Sequence, residues 1–298
     1  MTLPRRPLSK NLLLLIALSV LLAACSRVGL AYRNLDWLIP WRLNDYLSLN
    51  REQQAWLKPR LQSHLEWHCS SELPRYVDWL QRSEALLEQA HPSASQLSAQ
   101  FAELDGAFKR ITGEITPTAI ELLQSLNPGQ VAELYAAMDE DDREARQDFL
   151  EPPLATQISR RATRMQQRLR PWLGRLNAAQ QARIAEWAQA LGEQNRLWLD
   201  NRLRWQTEFR AVLDARRSAD FPARLTRLLQ ERESAYDADY RAAYARSRQA
   251  LAELFSDLLG SADSNQRERL TARLRDLRRD LARLACTPPA RVAAAASR

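Results

Sequence analysis

The chain has 298 residues, room for one or two domains, and its 45% hydrophobic and 27% charged residues exclude a disordered protein. Lys and Arg total 43 against 36 Asp and Glu; residues 1–24 hold Arg5, Arg6 and Lys10 and no acid, so the remainder is basic but far from histone-like. Only 7 Gly in all, and few Val or Ile beyond residue 24, nearly rule out a Gly-rich nucleotide-binding α/β fold.

The amino terminus has the layout of a lipoprotein signal. A charged stretch (Met1–Asn11) precedes the apolar run Leu12–Leu22, which ends in Leu22-Ala23-Ala24-Cys25. The run is too short to span ~30 Å of hydrocarbon as a stable helix. Small residues before Cys25 resemble the lipobox of bacterial lipoproteins, in which the thiol is diacylglycerated, the signal is cut before it and the new amine is acylated. Several acyl chains make anchoring effectively permanent. Ser26, where an Asp commonly favours inner-membrane retention in such proteins, points to the outer membrane and its periplasmic face. The tether from Ser26 to Arg33 spans at most ~29 Å, which holds the folded part against the bilayer. The alternative is an ordinary signal peptide followed by a coincidental Cys.

Beyond residue 33 the pattern is helical throughout. Leu49-Asn50-x-x-Gln53, Leu126-Asn127-x-x-Gln130, Leu176-Asn177-x-x-Gln180 and Ala262-Asp263-x-x-Gln266 are capping-box starts, with an apolar residue seven positions beyond each cap. Their irregular spacing predicts a recurring start device rather than a repeat fold. Helices are predicted over 51–69, 72–90, 94–124, 128–150 and 154–173, with Pro117 as a kink or break and boundaries at Pro92, Pro152-Pro153 and Gly174. A long helix is predicted from Ala178 to Arg217, because Ile184, Leu191, Trp198, Trp205 and Val212 recur every seven residues. Another is predicted from Pro222 to a Gly260 cap, and a last one over Leu270–Leu284. The expected fold is all-α, an elongated bundle of roughly eight to ten helices with long antiparallel C-terminal helices. The expected organisation is a signal peptide (1–24), a lipidated anchor and tether (25–33), one helical domain (34–286) and a disordered tail (287–298).

Several residues are candidates for chemistry. His64 and His68 are four apart on one helix, a spacing at which two imidazoles can share a metal, but Leu65 stands where a zincin has Glu. Half-exposed helix histidines are the competing reading. Cys69 and Cys286 remain once Cys25 is lipidated, an even pair suited to a disulfide in an oxidising compartment; two unpaired buried thiols are the alternative. Trp37, Trp41, Trp56, Trp67 and Trp79 crowd residues 32–79. Core packing explains most of them, whereas Trp37 and Trp41, close to the anchor, are membrane-contact candidates. The acidic run 139–144 reads as a solvated helix end. Arg267, Arg269, Arg273, Arg275, Arg278, Arg279 and Arg283 form a basic face; a lipobox keeps it away from nucleic acid, and acidic pairing or an anionic envelope partner fits it better.

The run from Cys25 to Trp41, with Tyr46-Leu47 and Leu49-x-x-x-Gln53, resembles a family of uncharacterised proteobacterial lipoproteins catalogued as a domain of unknown function. The resemblance implies an all-helical periplasmic lipoprotein and brings no catalytic residues. The Leu-Asn-x-x-Gln caps are also similar to the Leu-Thr-x-x-Gln motif of small helical periplasmic chaperones of the Spy type, with Asn replacing Thr. The expected function is therefore a membrane-anchored periplasmic lipoprotein acting as a helical protein-interaction or chaperone-like module, without cofactor, enzymatic activity or nucleic-acid partner. The alternative is a metal-dependent envelope hydrolase using His64 and His68.

Overall fold

The computed structural model describes Gly29 and residues 32–89 and 91–284. Residues 1–24, Cys25, Cys286 and residues 287–298, with the expectations placed on them, lie outside the described residues. Among the described residues every regular element is helical, and no helix is long and apolar enough to cross a membrane. In chain order these are α1 (Leu35–Leu43), α2 (Arg51–Trp67), a π-helical turn (His68–Glu72), α3 (Leu73–Leu87), α4 (Ala94–Gln124), α5 (Pro128–Phe149) and α6 (Leu154–Leu173). There follow α7 (Ala178–Ala190), α8 (Gln194–Asp214), α9 (Phe221–Gln230), a 3₁₀ turn (Arg232–Ala235), α10 (Ala238–Gly260) and α11 (Ser264–Ala282). The all-α class expected from composition and periodicity is the observed one.

Local capping sets the helix starts. Asn50, Asn127, Asn177 and Asp263 each accept from the backbone N–H of the Gln three residues on, and that Gln side chain accepts from the cap's own N–H. Ser93 and Gln96 form a fifth box at the start of α4. Each box satisfies two amide donors that a helix start leaves orphaned.

The four Asn/Asp boxes do more than start helices. They meet in pairs, and each glutamine amide is shared across the pair. Gln53 Nε2 donates to Gln130 Oε1 (3.1 Å) and Gln130 Nε2 donates back to Gln53 Oε1 (2.7 Å). The same reciprocal bonds join Gln180 and Gln266, at 2.8 and 3.0 Å. The second amide hydrogens reach into the opposite loop: Gln130 to the Ser48 carbonyl (2.8 Å), Gln53 to Ser125, and Gln266 to the Arg175 carbonyl (2.9 Å). Gln180 is wholly buried. The recurring start device is thus a pair of long-range clasps, a role that cap spacing alone does not reveal.

Two helices expected to be continuous are broken. The segment predicted as one helix from Ala178 to Arg217 divides into α7 and α8 at Leu191–Glu193, where Gly192 takes φ +47°, a conformation that costs other residues strain. The seven-residue seam consequently does not hold: Ile184 and Val212 are buried, whereas Trp198 is exposed. The segment predicted from Pro222 to Gly260 divides at the 3₁₀ turn, and Asp237 caps α10 by accepting from the Tyr240 N–H at 2.7 Å. The helices predicted as 51–69 and 72–90 run on through the π-helical turn, which places Cys69 inside a rod rather than at a helix end. Gly260 does not adopt the left-handed cap conformation; a Cβ there would lie 2.7 Å from His91 Nδ1.

Packing joins distant parts of the chain. Helix α11 lies along α3 and α6, α10 along α4 and α7, and α9 along α4 and α8. One core holds Leu47, Leu49 and Leu126 beside the first clasp with Phe209, Leu213, Phe221 and Leu225. A second holds Leu169, Leu173, Leu176 and Ile184 beside the other clasp with Leu254 and Leu258. The leucine before each Asn cap is therefore a core residue, which ties capping to burial.

Candidate ligand-binding cleft

The residues singled out from sequence fall into separate environments. His64 contacts Glu114 Oε1 through Nδ1 (3.1 Å) and Thr118 Oγ1 through Nε2 (2.7 Å), both on α4. His68 faces elsewhere, its Nδ1 3.0 Å from the Tyr32 hydroxyl and its Nε2 3.3 Å from that of Tyr76. The i, i+4 spacing therefore does not bring the two rings to one point. Among the described residues no three His, Cys, Asp or Glu side chains are placed to share a metal ion. Burial pushes the His68 imidazole below its ordinary range, against an opposing pull from Glu72, and pushes the Tyr32 phenol up to about 12.

Cys69 is disulfide-bonded, and its partner lies outside the described residues. It packs with Leu73, Tyr32 and Tyr76 against Leu284, two positions before Cys286 in the sequence. We expect non-reducing peptide mapping to recover a Cys69–Cys286 peptide. Recovery of Cys69 joined to Cys25 would refute this pairing.

Trp37 and Trp41 stack on α1 with ring centroids 6.0 Å apart, and they are 62% and 53% exposed. Of the C-terminal basic face, Arg278 and Arg275 pair with Glu84, Arg279 pairs with Asp276, and Arg267 donates to backbone carbonyls. The acidic run lies within α5 and not at a helix end; Asp139, Glu140 and Glu144 are solvent-exposed as expected, and Asp142 is the exception. Asp142 is buried and accepts from Arg202 (2.7 Å) and Gln206 (3.0 Å), and Asp139 pairs with Arg210.

A concentration of unused chemistry lies around α6. This helix carries Arg160, Arg161, Arg164, Arg168 and Arg170 and no acidic residue. Its start is fixed by Gln157, whose amide donates to the Leu150 and Pro152 carbonyls. Gln157 also receives the Asn195 amide at 3.1 Å. Arg161, only 7% exposed, donates to the carbonyls of Ala188 (2.7 Å) and Gly192 (3.0 Å) and to Asn195 Oδ1 (3.2 Å). A buried cation thus captures the carbonyl end of α7, where the helix dipole is negative. That capture explains why the predicted 178–217 helix ends at Gly192.

Beside Arg161 opens a cleft of about 500 Å³ between α6, α7, α8 and α10. Its walls are aromatic and cationic: Phe149, Trp187, Trp198, Tyr240 and Tyr244 alternate with Arg164, Arg168 and Arg248. Among the described residues no carboxylate lines it. Arg248 is neutralised by Asp105 at 2.7 Å. Arg164 stacks over the Phe149 ring (5.3 Å) and forms no ion pair among the described residues; nor does Arg168. Burial first, and then the charges of Arg168 and Arg160, lower the Arg164 pKa against Asp148. Trp198 meets Phe149 edge-on at 5.9 Å. The buried indole N–H of Trp187 has no hydrogen-bond partner among the described residues. Concave aromatic walls with surplus guanidinium suit a ligand that presents negative charge beside apolar surface.

A family model matches residues 45–241. The chain belongs to a family of unknown function, DUF6279. The DUF6279 match covers α2 to the first residues of α10, so it takes in the first glutamine clasp and the α6, α7 and α8 walls of the cleft. It stops before Gln266 and Arg248. It also begins after Cys25–Trp41, the run on which the lipoprotein resemblance rests. No curated protein and no solved structure matches the chain.

Proposed function

We propose that this DUF6279 protein is a lipid-anchored helical interaction module on the periplasmic face of the outer membrane, and that it binds its partner through the α6 cleft. The observation that carries the binding role is the juxtaposition of Arg164 and Arg168, without ion pairs among the described residues, with the aromatic walls of a 500 Å³ cleft. Supporting the anchor are the Leu22-Ala23-Ala24-Cys25 box and the short tether. The exposed Trp37–Trp41 stack on the first helix fits contact with the membrane interface. The Leu-Asn-x-x-Gln likeness to Spy-type chaperones supports an envelope-protein partner, in a weaker way, because helix capping explains the motif by itself.

Two measurements test the proposal. Cys25→Ser is expected to release the protein from outer-membrane fractions, and a variant that still fractionates with them after a high-salt wash overturns the anchor. Envelope crosslinking followed by purification of the wild-type chain is expected to recover a reproducible adduct. Recovery of none, from cells in which the protein is abundant, overturns the interaction role.

A further inference from the structure

The cleft does not end at its cationic walls. A second cavity of about 450 Å³ opens between α6, α10 and α11, and it shares Met165, Arg168 and Leu251 with the first. Its lining is Leu169, Trp172, Phe255, Leu258 and further leucines; among the described residues Arg168, at the junction of the two cavities, is the single charged one. Arg164 and Arg168 are one helical turn apart on α6. Two guanidinium groups without an ion pair among the described residues therefore stand beside an almost wholly apolar groove, Arg168 at its junction with the cleft and Arg164 one turn away, where Asp148 acts only as a more distant charge. Resting on the cleft as the binding site, we infer that the occupant is a single-chain anionic amphiphile: its acyl chain lies in the α6–α10–α11 groove and its carboxylate or phosphate is held by Arg164 and Arg168.

The charge pattern decides this occupant over others. A peptide rich in acidic residues would meet the arginines but leave the leucine groove empty. A neutral apolar molecule would fill the groove and leave both arginines unmatched. Only a ligand with one charged end and one apolar end is complementary to both cavities at once. Arginine suits the charged end because its planar fork pairs with two oxygens of a carboxylate or phosphate together.

The test uses the full chain carrying Cys25→Ser, which has no acyl chains of its own, and calorimetry with ligands below their micellar concentrations. Hexadecanoate and hexadecyl phosphate are expected to bind, and their relative affinities distinguish a fatty-acid from a phospholipid-derived head. Hexadecanol and hexadecyltrimethylammonium are expected to bind at least tenfold more weakly. Shortening the acid by two methylenes is expected to weaken binding by about tenfold. Arg164→Gln/Arg168→Gln is expected to remove the preference for the anionic head and leave hexadecanol binding unchanged, which also shows that the variant is folded. Leu274→Gln, in the groove wall, is expected to weaken all of the long-chain ligands. Equal binding of hexadecanol and hexadecanoate overturns the inference, as does binding independent of chain length. So does binding of a polyglutamate peptide in place of every amphiphile, an outcome that leaves the interaction module itself standing.

Discussion

Gln130→Ala is expected to lower stability by about 3 kcal/mol, read as a shift in the urea midpoint at unchanged slope. Its amide group takes part in four hydrogen bonds: two reciprocal ones with Gln53, one given to Ser48 and one received from the Asn127 N–H. Each contributes about 1 kcal/mol; the Gln53 amide left behind is buried, whereas Ser48 and Asn127 belong to exposed residues where water partly replaces the lost bonds, so the total stays below the sum of four. Adding Gln53→Ala to this variant is expected to cost less than the sum of the two single changes. The difference of about 1 kcal/mol or more measures the shared bonds. Strict additivity would mean that the two capping boxes act only on their own helices.

The second large effect is an asymmetry at the π-helical turn. Glu72 is 1% exposed and receives two hydrogen bonds from Arg110, Nε at 2.7 Å and a terminal nitrogen at 2.8 Å; Arg75 lies further off at 3.7 Å. Arg110 itself is 38% exposed. Arg110→Met leaves a buried carboxylate with only the weaker Arg75 contact, and a cost of about 3 kcal/mol is expected. Glu72→Gln leaves a guanidinium that water can reach, and about 1 kcal/mol is expected. Equal losses in thermal or urea unfolding would contradict this account of the pair.

The same site predicts the direction of the pH response. The Arg110 hydrogen bonds hold the Glu72 carboxyl below its ordinary range, against the opposing effect of burial. Its contribution is therefore complete above the unfolded value near 4.3 and is lost as pH falls through the lower folded value. His68, also shifted down, adds an earlier step, because the unfolded chain takes up its proton from about pH 6.5 downward. Both steps reduce stability toward acid. In Arg110→Met burial is no longer outweighed, so the loss of stability from Glu72 toward acid is expected to shrink or to reverse.

Local chemistry made much of this fold legible. Asn50-x-x-Gln53 and Asn127-x-x-Gln130 announce helix starts because a cap and its third residue answer each other within one turn. The end of α6 at Gly174, with φ +74°, was readable for the same reason. What sequence could not show was long-range partnership. Nothing near Gln53 says that its amide will meet Gln130. The helix predicted through Gly192 is ended by Arg161, a residue on another helix. The cleft was missed for a related reason: an arginine-rich helix becomes a binding site only where acids do not arrive to neutralise it. The C-terminal arginines looked equally suited, yet Glu84 and Asp276 meet several of them, whereas no ion pair reaches Arg164 or Arg168 among the described residues. The absence of acid within α6 itself was the available signal.

The most direct test of the cleft as the binding site is photo-crosslinking in intact cells. A photoreactive residue replaces Trp198, exposed at the cleft rim, or Glu208, exposed and lining none of these cavities. Intact mass of the purified protein reads the adduct. A discrete envelope adduct is expected at position 198, lost in the Arg164→Gln/Arg168→Gln background, and none at 208. Equal adducts at both positions, or an adduct at 198 that survives loss of the arginines, would contradict the binding role of the cleft.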